Sequence, residues 1–249
     1  MSDAMKVIYI CFPEGKHKVL TMSYDDGKLA DRRLVSIFNH YGIKGTFHLN
    51  SGMHGPERIP SEEWKALYEG HEMSCHTVTH PTIARSPVEQ VAVQVLEDRR
   101  YIERIAGYPV RGLSYPNGSY NREIIELLPK LGIEYSRIVG NTDDFSMPEN
   151  YLAWEATCHH NHNLIENGKR FLELKKTQYM YMMYVWGHSY EFDRDNNWEL
   201  MEEFCEMMSG QEDIWYATNI QIVDYMKAAK NLRFTLDGDL VYNPNAMDI

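Results

Sequence analysis

Short apolar segments alternate along the chain with longer segments whose apolar residues recur at helical spacing. The first apolar segment, residues 19–24, predicts a strand. Leu34, Ile37 and Phe38 predict the helix that follows it and ends near Gly42. The alternation continues to the end of the chain. It predicts seven strands, over residues 19–24, 43–49, 71–76, 111–115, 133–139, 178–186 and 214–217.

Strands that alternate with helices in this order predict an α/β fold with a parallel sheet. Seven units suit a parallel β/α barrel that is incomplete or distorted. An open doubly wound sheet is the alternative, but no glycine-rich fingerprint follows the first predicted strand. Residues 232–243, around Asp237-Gly238, predict a short C-terminal β-hairpin. We expect residues 1–249 to form one domain with its core at about residues 19–219.

The composition is that of a globular protein and excludes several kinds of partner. Of the 249 residues, 43% are hydrophobic and 24% are charged, which is typical neither of a disordered chain nor of a membrane protein. The formal net charge of −11 argues against binding to nucleic acid or to an anionic membrane. We therefore expect no nucleic-acid partner and no membrane partner.

The cysteines and the N-terminal segment predict a cytoplasmic protein. Cys11, Cys75, Cys158 and Cys205 are far apart and form no CxxC pair, which favours reduced, mostly buried thiols. The apolar run at residues 7–12 is too short for a secretory signal peptide. Both features are typical of a protein that stays in a reducing compartment.

Polar residues with acid–base or metal-binding chemistry follow three of the predicted strands. Asp25 and Asp26 follow the first strand, His76 and His80 lie at the end of the third, and His188 follows the sixth. In a β/α barrel the carboxyl ends of the strands meet at one rim, which is where active sites lie. We therefore expect these five side chains to converge.

The pair His76 and His80 is typical of a metal site. The β-branched residues between them and Pro81 after them predict a tight loop rather than a helix, and a loop can still bring two imidazoles to one ion. With one carboxylate from the first strand they form a 2-His-1-carboxylate set that leaves coordination positions open. Taken alone, each motif is more often an ordinary turn or a pair of surface histidines, but their order at the strand ends favours a site.

Five segments resemble the polysaccharide deacetylase family, also called carbohydrate esterase family four or the NodB homology domain. The resemblance runs from about residue 19 to about residue 219, in VLTMSYDDG, KGTFHLNSG, MSCHTVTH, YPNGSYN and YVWGHSYEFD. It implies a distorted (β/α)7 barrel, as the strand count does. It also implies removal of acetyl groups from N- or O-acetylated sugars with a divalent metal. That metal is commonly zinc, and cobalt, nickel and manganese are the alternatives.

The resemblance implies a role for each matching residue. Asp25 would be the general base and His188 the general acid, while Asp26, His76 and His80 would hold the metal. In this scheme the metal polarises the acetyl carbonyl and activates a water molecule. The base takes the proton of that water, and the acid protonates the departing amine or alkoxide.

The third motif implies substrate contacts from Tyr115 and from Asn117, whose backbone N–H would stabilise an oxyanion. The family commonly has an arginine just before this motif, where this chain has Ser114. Arg111 lies three residues earlier, and whether it orients Asp25 is left open by the sequence.

The fourth motif of the family, an aspartate followed by tryptophan, has no clean match in this chain. Residues 143–145 or Trp154 are the candidates to replace it. The stretch from Trp154 to His162 has two interpretations. It is a loop over the site, with Trp154 as a sugar platform and His159 or His160 reaching the pocket, or it is a solvated histidine-rich turn.

The acidic residues after His188 also have two interpretations. Glu191 or Asp193 can orient the His188 imidazole by accepting a hydrogen bond from Nδ1. Equally, these residues together with Tyr190 can begin the helix that follows.

The sequence as a whole predicts a metal-dependent deacetylase whose partner is an acetylated saccharide. A hydrolase of a small cyclic amide such as a ureide, similar to an allantoinase, is an alternative that keeps the site and changes the substrate. A saccharide-binding module that has lost turnover is a second alternative, favoured by the altered third motif. Five intact site residues argue against it, because a binding module has no need of them.

Overall fold

A computed structural model describes residues 7–249. Their strands are β1 (Lys18–Asp25), β2 (Gly45–Leu49), β3 (Glu72–Cys75), β4 (Gly112–Ser114), β5 (Tyr135–Arg137), β6 (Cys158–His159), β7 (Tyr181–Gly187), β8 (Ile214–Tyr216), β9 (Arg233–Phe234) and β10 (Val241–Tyr242). Their α-helices are α1 (Asp31–Tyr41), α2 (Ser61–Leu67), α3 (Val88–Ala106), α4 (Arg122–Leu127), α5 (Leu164–Glu173), α6 (Tyr190–Asp195), α7 (Trp198–Met208) and α8 (Asn219–Asn231).

The main sheet is parallel and has β1 at its centre. Its strand order is β5-β4-β3-β2-β1-β7-β6, and β8 also pairs with β1. The first half of β1, from Lys18 to Leu20, pairs with β8, and the second half, from Met22 to Asp25, pairs with β2. All eight residues of β1 are buried, as expected for a strand covered on both faces. The curled sheet with helices around it is the distorted (β/α)7 barrel that the sequence predicted.

All seven predicted strands are present, although β7 begins at Tyr181 rather than at residue 178. Strand β6 was not predicted, since a strand of two residues carries no periodic signal. This strand pairs with β7, with Cys158 opposite Val185 and His159 opposite Trp186. It therefore turns part of a stretch that looks irregular in the sequence into the edge of the sheet.

The chain between β5 and β6 packs back onto the end of β5. The Ile138 N–H donates to the Trp154 carbonyl at 3.0 Å, and the Trp154 N–H donates to the Ser136 carbonyl at 2.9 Å. The Trp154 side chain is 0% exposed and packs edge-on against Tyr135 and Tyr184. The prediction of a sugar platform at Trp154 is therefore wrong, because no face of the ring is open to a ligand.

Apolar helix faces cover the outside of the sheet. In α1, Leu34 and Phe38 are fully buried, and the Phe38 ring lies 6.3 Å from the Phe47 ring on β2. Gly42 ends α1 in the left-handed conformation, with a φ of 69°, and turns the chain into β2. Helices that lead back to the sheet in this way make neighbouring strands parallel, so the carboxyl ends of the strands lie at one rim.

The smaller predictions have clear outcomes. Strands β9 and β10 pair antiparallel, so the C-terminal hairpin is confirmed. Cys75, Cys158 and Cys205 are buried free thiols as predicted, and Cys11 is partly exposed. Within residues 7–249 we find no helix with the length and apolar character needed to cross a bilayer. The single domain over residues 1–249 and the cytoplasmic location stay predictions.

Candidate active site

Asp25 and Asp26 lie at the carboxyl end of β1, in the middle of the sheet. The Asp26 N–H donates to the His48 carbonyl on β2 at 2.9 Å, and Asp26 then adopts the left-handed region with a φ of 84°. Residues other than glycine seldom adopt this conformation, and those that do cluster at functional sites. Asp25 is 3% exposed, whereas Asp26 is more open to solvent. The two carboxylates therefore lie in different environments.

The loop after β3 brings His76 and His80 together, with ring centroids 4.7 Å apart. Asp98 on α3 accepts the His76 N–H at 3.0 Å, and Thr77 and His80 have φ values of 66° and 55°. The loop is therefore tight and non-helical, as predicted. The Nδ1 atom of His76 donates to the Ser114 carbonyl on β4 at 2.8 Å, because a carbonyl only accepts. This bond makes Nε2 the nitrogen with a free lone pair.

Asp26, His76 and His80 form a candidate metal centre. Their ligand atoms lie within 4.8 Å of one another. Nε2 of His76 is buried and has no hydrogen-bond partner in the part of the chain that the structure describes. A buried polar atom without a partner is costly, and a bound ligand removes the cost. One carboxylate and two imidazoles suit zinc or another first-row transition metal, so the residues fit a divalent cation.

A buried arginine holds Asp25. Arg137 on β5 is 1% exposed and donates from Nη2 to Asp25 Oδ2, and Ser114 Oγ donates to the same oxygen at 3.1 Å. Burial opposes ionisation of Asp25, but the Arg137 charge and the neighbouring histidines together outweigh it and hold the pKa of Asp25 well below its ordinary value. Oδ1 of Asp25 has no hydrogen-bond partner among residues 7–249. This oxygen is therefore free to accept a proton.

Arg111 does not reach Asp25, which answers the question that the sequence leaves open. Its guanidinium donates to both carboxylate oxygens of Asp224, at 2.7 and 2.6 Å, and to Glu134 at 3.2 Å. The sequence analysis missed Arg137, which supplies the positive charge at Asp25. A signal for it exists in the sequence. An arginine inside a predicted buried strand is rarely found without a carboxylate partner.

His188 follows β7, and the charges of Asp25 and Asp26 act on it. Its Nδ1 donates to Glu191 Oε2 at 3.3 Å. Burial disfavours the imidazolium, but Glu191, Asp25 and Asp26 outweigh it and raise the pKa of His188. A histidine with a raised pKa near an aspartate with a lowered pKa is typical of a general acid beside a general base.

Glu191, and not Asp193, is the residue that orients His188. The Asp193 carboxylate accepts from Trp198 Nε1 at 2.7 Å and serves the packing of α6 against α7. The Tyr190 ring lies near the His188 ring, with centroids 5.3 Å apart. The interpretation that these residues hold the imidazole is therefore correct for Glu191.

The histidine-rich stretch reaches the site in part. His159 Nε2 lies 2.9 Å from Glu191 Oε2, and His160 is 0% exposed beneath it. The interpretation as a solvated turn is therefore wrong for these two residues. His162 instead pairs with Asp143 at 2.9 Å, near the surface. Asp143, a candidate for the missing fourth motif, thus binds residues that follow β6, since Asn167 on α5 also donates to it at 2.8 Å.

The third motif forms a tight turn after β4. Tyr115 is 1% exposed, stacks on Tyr120 with ring centroids 5.0 Å apart, and donates its hydroxyl to the Leu152 carbonyl at 2.7 Å. The prediction that Tyr115 contacts substrate is wrong for its side chain, because that side chain is buried. Asn117 is exposed in a turn closed by the Gly118 N–H, which donates to the Tyr115 carbonyl at 3.0 Å. Asn117 therefore stays a candidate for substrate contact.

A candidate acid–base pair and a set of candidate metal ligands thus meet at the carboxyl ends of β1, β3 and β7, which is where barrel enzymes carry their active sites. The fold and the site together define a β/α-barrel protein with a candidate metal and acid–base site. The chain belongs to the polysaccharide deacetylase family, whose sequence profile matches residues 12–136.

Named relatives and solved structures are similar to this chain at low identity. Peptidoglycan-N-acetylglucosamine deacetylase from Bacillus cereus is 26% identical over 116 residues, which is 46% of this chain and only 40% of that enzyme. The Xyl-CE4 domain of a multidomain xylanase from the hindgut metagenome of Trinervitermes trinervoides has a TM-score of 0.59 at 14% identity, over 90% of this chain and 100% of that one. Puue allantoinase has a TM-score of 0.65 at 13% identity, over 87% and 92%. The two structures share the fold.

Proposed function

We propose that this protein is a metal-dependent hydrolase that removes acetyl groups, N- or O-linked, from a saccharide. One observation carries the proposal. Asp25, whose Oδ1 has no hydrogen-bond partner among residues 7–249, lies beside the three candidate ligands Asp26, His76 and His80. Membership of the polysaccharide deacetylase family supports the saccharide substrate.

Asp26, His76 and His80 would hold the cation, with zinc as the first candidate and cobalt, nickel or manganese as alternatives. When bound there, a divalent cation supplies Lewis acidity, which polarises the acetyl carbonyl and lowers the pKa of water.

The protein's own groups divide the proton transfers between them. Asp25 accepts the proton of the attacking water through Oδ1, while Arg137 keeps Asp25 anionic. The backbone N–H of Asn117 stabilises the negative charge that develops on the carbonyl oxygen. His188 donates a proton from Nε2 to the nitrogen or oxygen that leaves, since its Nδ1 is bonded to Glu191. The products are acetate and the free amine or alcohol.

Metal content and acetate release from one purified sample test the proposal. We expect bound metal, and acetate release from N,N′-diacetylchitobiose or acetylated xylan that a chelator abolishes and added zinc or cobalt restores. His80→Ala is expected to lose both metal and acetate release. The control is His40→Ala, which removes an exposed histidine at the end of α1.

Other outcomes overturn the proposal in distinct ways. A protein that binds no metal, even when zinc is added, would be a binding module. A protein that binds metal and turns over allantoin, but releases no acetate, would be a cyclic-amide hydrolase.

The pH profile tests the role of His188. Its acid form dominates below its raised pKa and is lost as the pH rises through that value, so kcat is expected to fall on the alkaline side, above pH 6.5. Glu191→Gln removes a charge that raises this pKa. We therefore expect the fall of kcat on the alkaline side of the pH profile to begin at a pH lower by about 1 unit or more. Asp193→Asn, on the same helix but bonded to Trp198, is the control. An unchanged alkaline fall of kcat in Glu191→Gln would mean that His188 is not the acid.

A further inference from the structure

A single carboxylate oxygen is surrounded by three imidazoles beside the proposed acid. Glu191 Oε2 lies 2.9 Å from His159 Nε2, 3.3 Å from His188 Nδ1 and 3.5 Å from His160 Nε2. The mechanism above uses only the contact to His188. The contact to His159 is the shortest of the three.

The protonation of His159 follows from its other ring nitrogen. The backbone N–H of Asn161 donates to His159 Nδ1 at 3.1 Å, so Nδ1 holds a lone pair. In the neutral imidazole the proton is then on Nε2, which donates it to Glu191. A ring nitrogen that carries a proton cannot ligate a cation. Although His159, His160 and Glu191 have ligand atoms close enough for a metal, the hydrogen bond from His159 Nε2 to Glu191 argues against a cation there.

The position of the His159 ring is determined by its neighbours. Its backbone N–H is held by the Asn141 side chain at 2.5 Å, and its ring packs edge-on against Trp186, with centroids 4.6 Å apart. Because the bond to Asn141 fixes its backbone and the contact with Trp186 fixes its ring, His159 can hold Glu191 in one orientation.

His160 completes the cluster without adding charge. Its ring stacks between Phe192 and Tyr24, with centroids 4.1 and 5.8 Å away, and burial lowers its pKa to about 3. A Cβ atom at Gly187 would collide with this ring, which explains the glycine just before His188. His160 is therefore an uncharged, buried ring that packs against the Glu191 carboxylate.

A nearby arginine competes with His188 for the Glu191 carboxylate. Arg194 Nη1 lies 3.4 Å from the other oxygen, Glu191 Oε1, on an exposed side chain. Without the bond from His159, Oε2 keeps, among residues 7–249, only the two longer bonds from the backbone N–H and Nδ1 of His188, both at 3.3 Å, against the attraction of Arg194.

We propose that His159 is a positioning residue for the proposed general acid. Its Nε2–H bond to Glu191 keeps that carboxylate on His188, so that His188 holds a proton on Nδ1 and presents Nε2 to the leaving group. This inference rests on the proposed function, in which His188 protonates the departing amine or alcohol.

Two substitutions of similar length separate the hydrogen bond from the shape of the side chain. His159→Gln places an amide N–H near the position of Nε2, whereas His159→Met fills the space without a donor. Two substrates separate proton donation from the rest of catalysis. The amide of N,N′-diacetylchitobiose needs a protonated leaving group, while 4-nitrophenyl acetate releases a stable anion.

We expect His159→Met to lower kcat for the amide by about tenfold, as for the loss of one hydrogen bond to a charged group, and to lower kcat for the aryl ester far less. His159→Gln is expected to recover most of the loss on the amide. Equal losses on the two substrates, or no recovery with glutamine, would overturn the proposal, because they indicate a purely structural role.

A measurement without turnover keeps this inference separate from the proposed function. In imidazole ¹⁵N NMR spectra, assigned with His188→Gln, we expect His188 to carry the Nδ1 proton in the wild type and in His159→Gln, and to lose this preference in His159→Met. If neither substrate is turned over by the wild type, the proposed function fails, while these spectra still decide the role of His159. Two metal ions per chain, one of them lost in His159→Met, would instead identify a second metal site and overturn the proposal.

Discussion

Asp25→Asn is expected to lower kcat for acetate release by about 10²–10⁴-fold, the range found for a general base, with bound metal unchanged. Asparagine keeps the shape of the side chain but cannot take a proton from water. Metal is retained because Asp25 is not one of the three clustered ligands, Asp26, His76 and His80. The measurement is kcat together with metal content on the same preparation.

The control for Asp25→Asn is Asp224→Asn. Asp224 is also an aspartate paired with an arginine, at 2.6 Å from Arg111, but it lies on α8 and outside the site. We expect this variant to retain the wild-type kcat. If Asp25→Asn also kept a rate close to wild type, Asp25 would not be the base. A variant that lost metal along with activity would place Asp25 among the ligands.

Arg137→Met is expected to destabilise the protein by about 3–5 kcal/mol at neutral pH, as when one partner of a buried ion pair is removed. Both partners are buried, with Arg137 1% and Asp25 3% exposed. Methionine fills much of the volume but leaves Asp25 Oδ2 with only the bond from Ser114 Oγ and with His76 Nε2 at 3.7 Å among residues 7–249. The measurement is the free energy of unfolding in urea.

The pH dependence of this destabilisation has a defined sign. The pKa of Asp25 is lowered in the folded protein, so the ion pair stabilises the fold above the ordinary pKa of 3.8 and its contribution is lost as the pH falls. The difference between wild type and Arg137→Met should therefore be largest near neutral pH and shrink in acid. A difference that grew in acid would contradict the pairing.

Arg111→Met is the matched control for Arg137→Met. Arg111 also binds carboxylates, but its side chain is 28% exposed, so its loss is expected to cost about 1 kcal/mol or less.

An exchange of two residues tests the geometry around Asp25 further, because Ser114 and Arg137 lie opposite each other on β4 and β5 and both reach Asp25 Oδ2. Ser114→Arg combined with Arg137→Ser should recover part of the activity lost in Arg137→Ser alone.

The local sequence predicted the fold well because its signals are short in range. Strand β1 is a run of buried residues, and Gly42 ends α1, and both features can be read within a few positions. Strand β6 was missed, since two residues become a strand only when β7 lies beside them. Trp154 was misplaced for the same reason, because its burial depends on Tyr135 and Tyr184 from other strands.

Motif order by itself predicted that Asp25, Asp26, His76, His80 and His188 lie at one rim, since parallel strands bring their carboxyl ends together there. Only the tertiary structure decided which charges surround them. Arg137 reaches Asp25 from 112 residues away, and His159 reaches Glu191 from 32 residues away. Such contacts depend on strand order and register, which join residues whose separation along the chain carries no periodic signal.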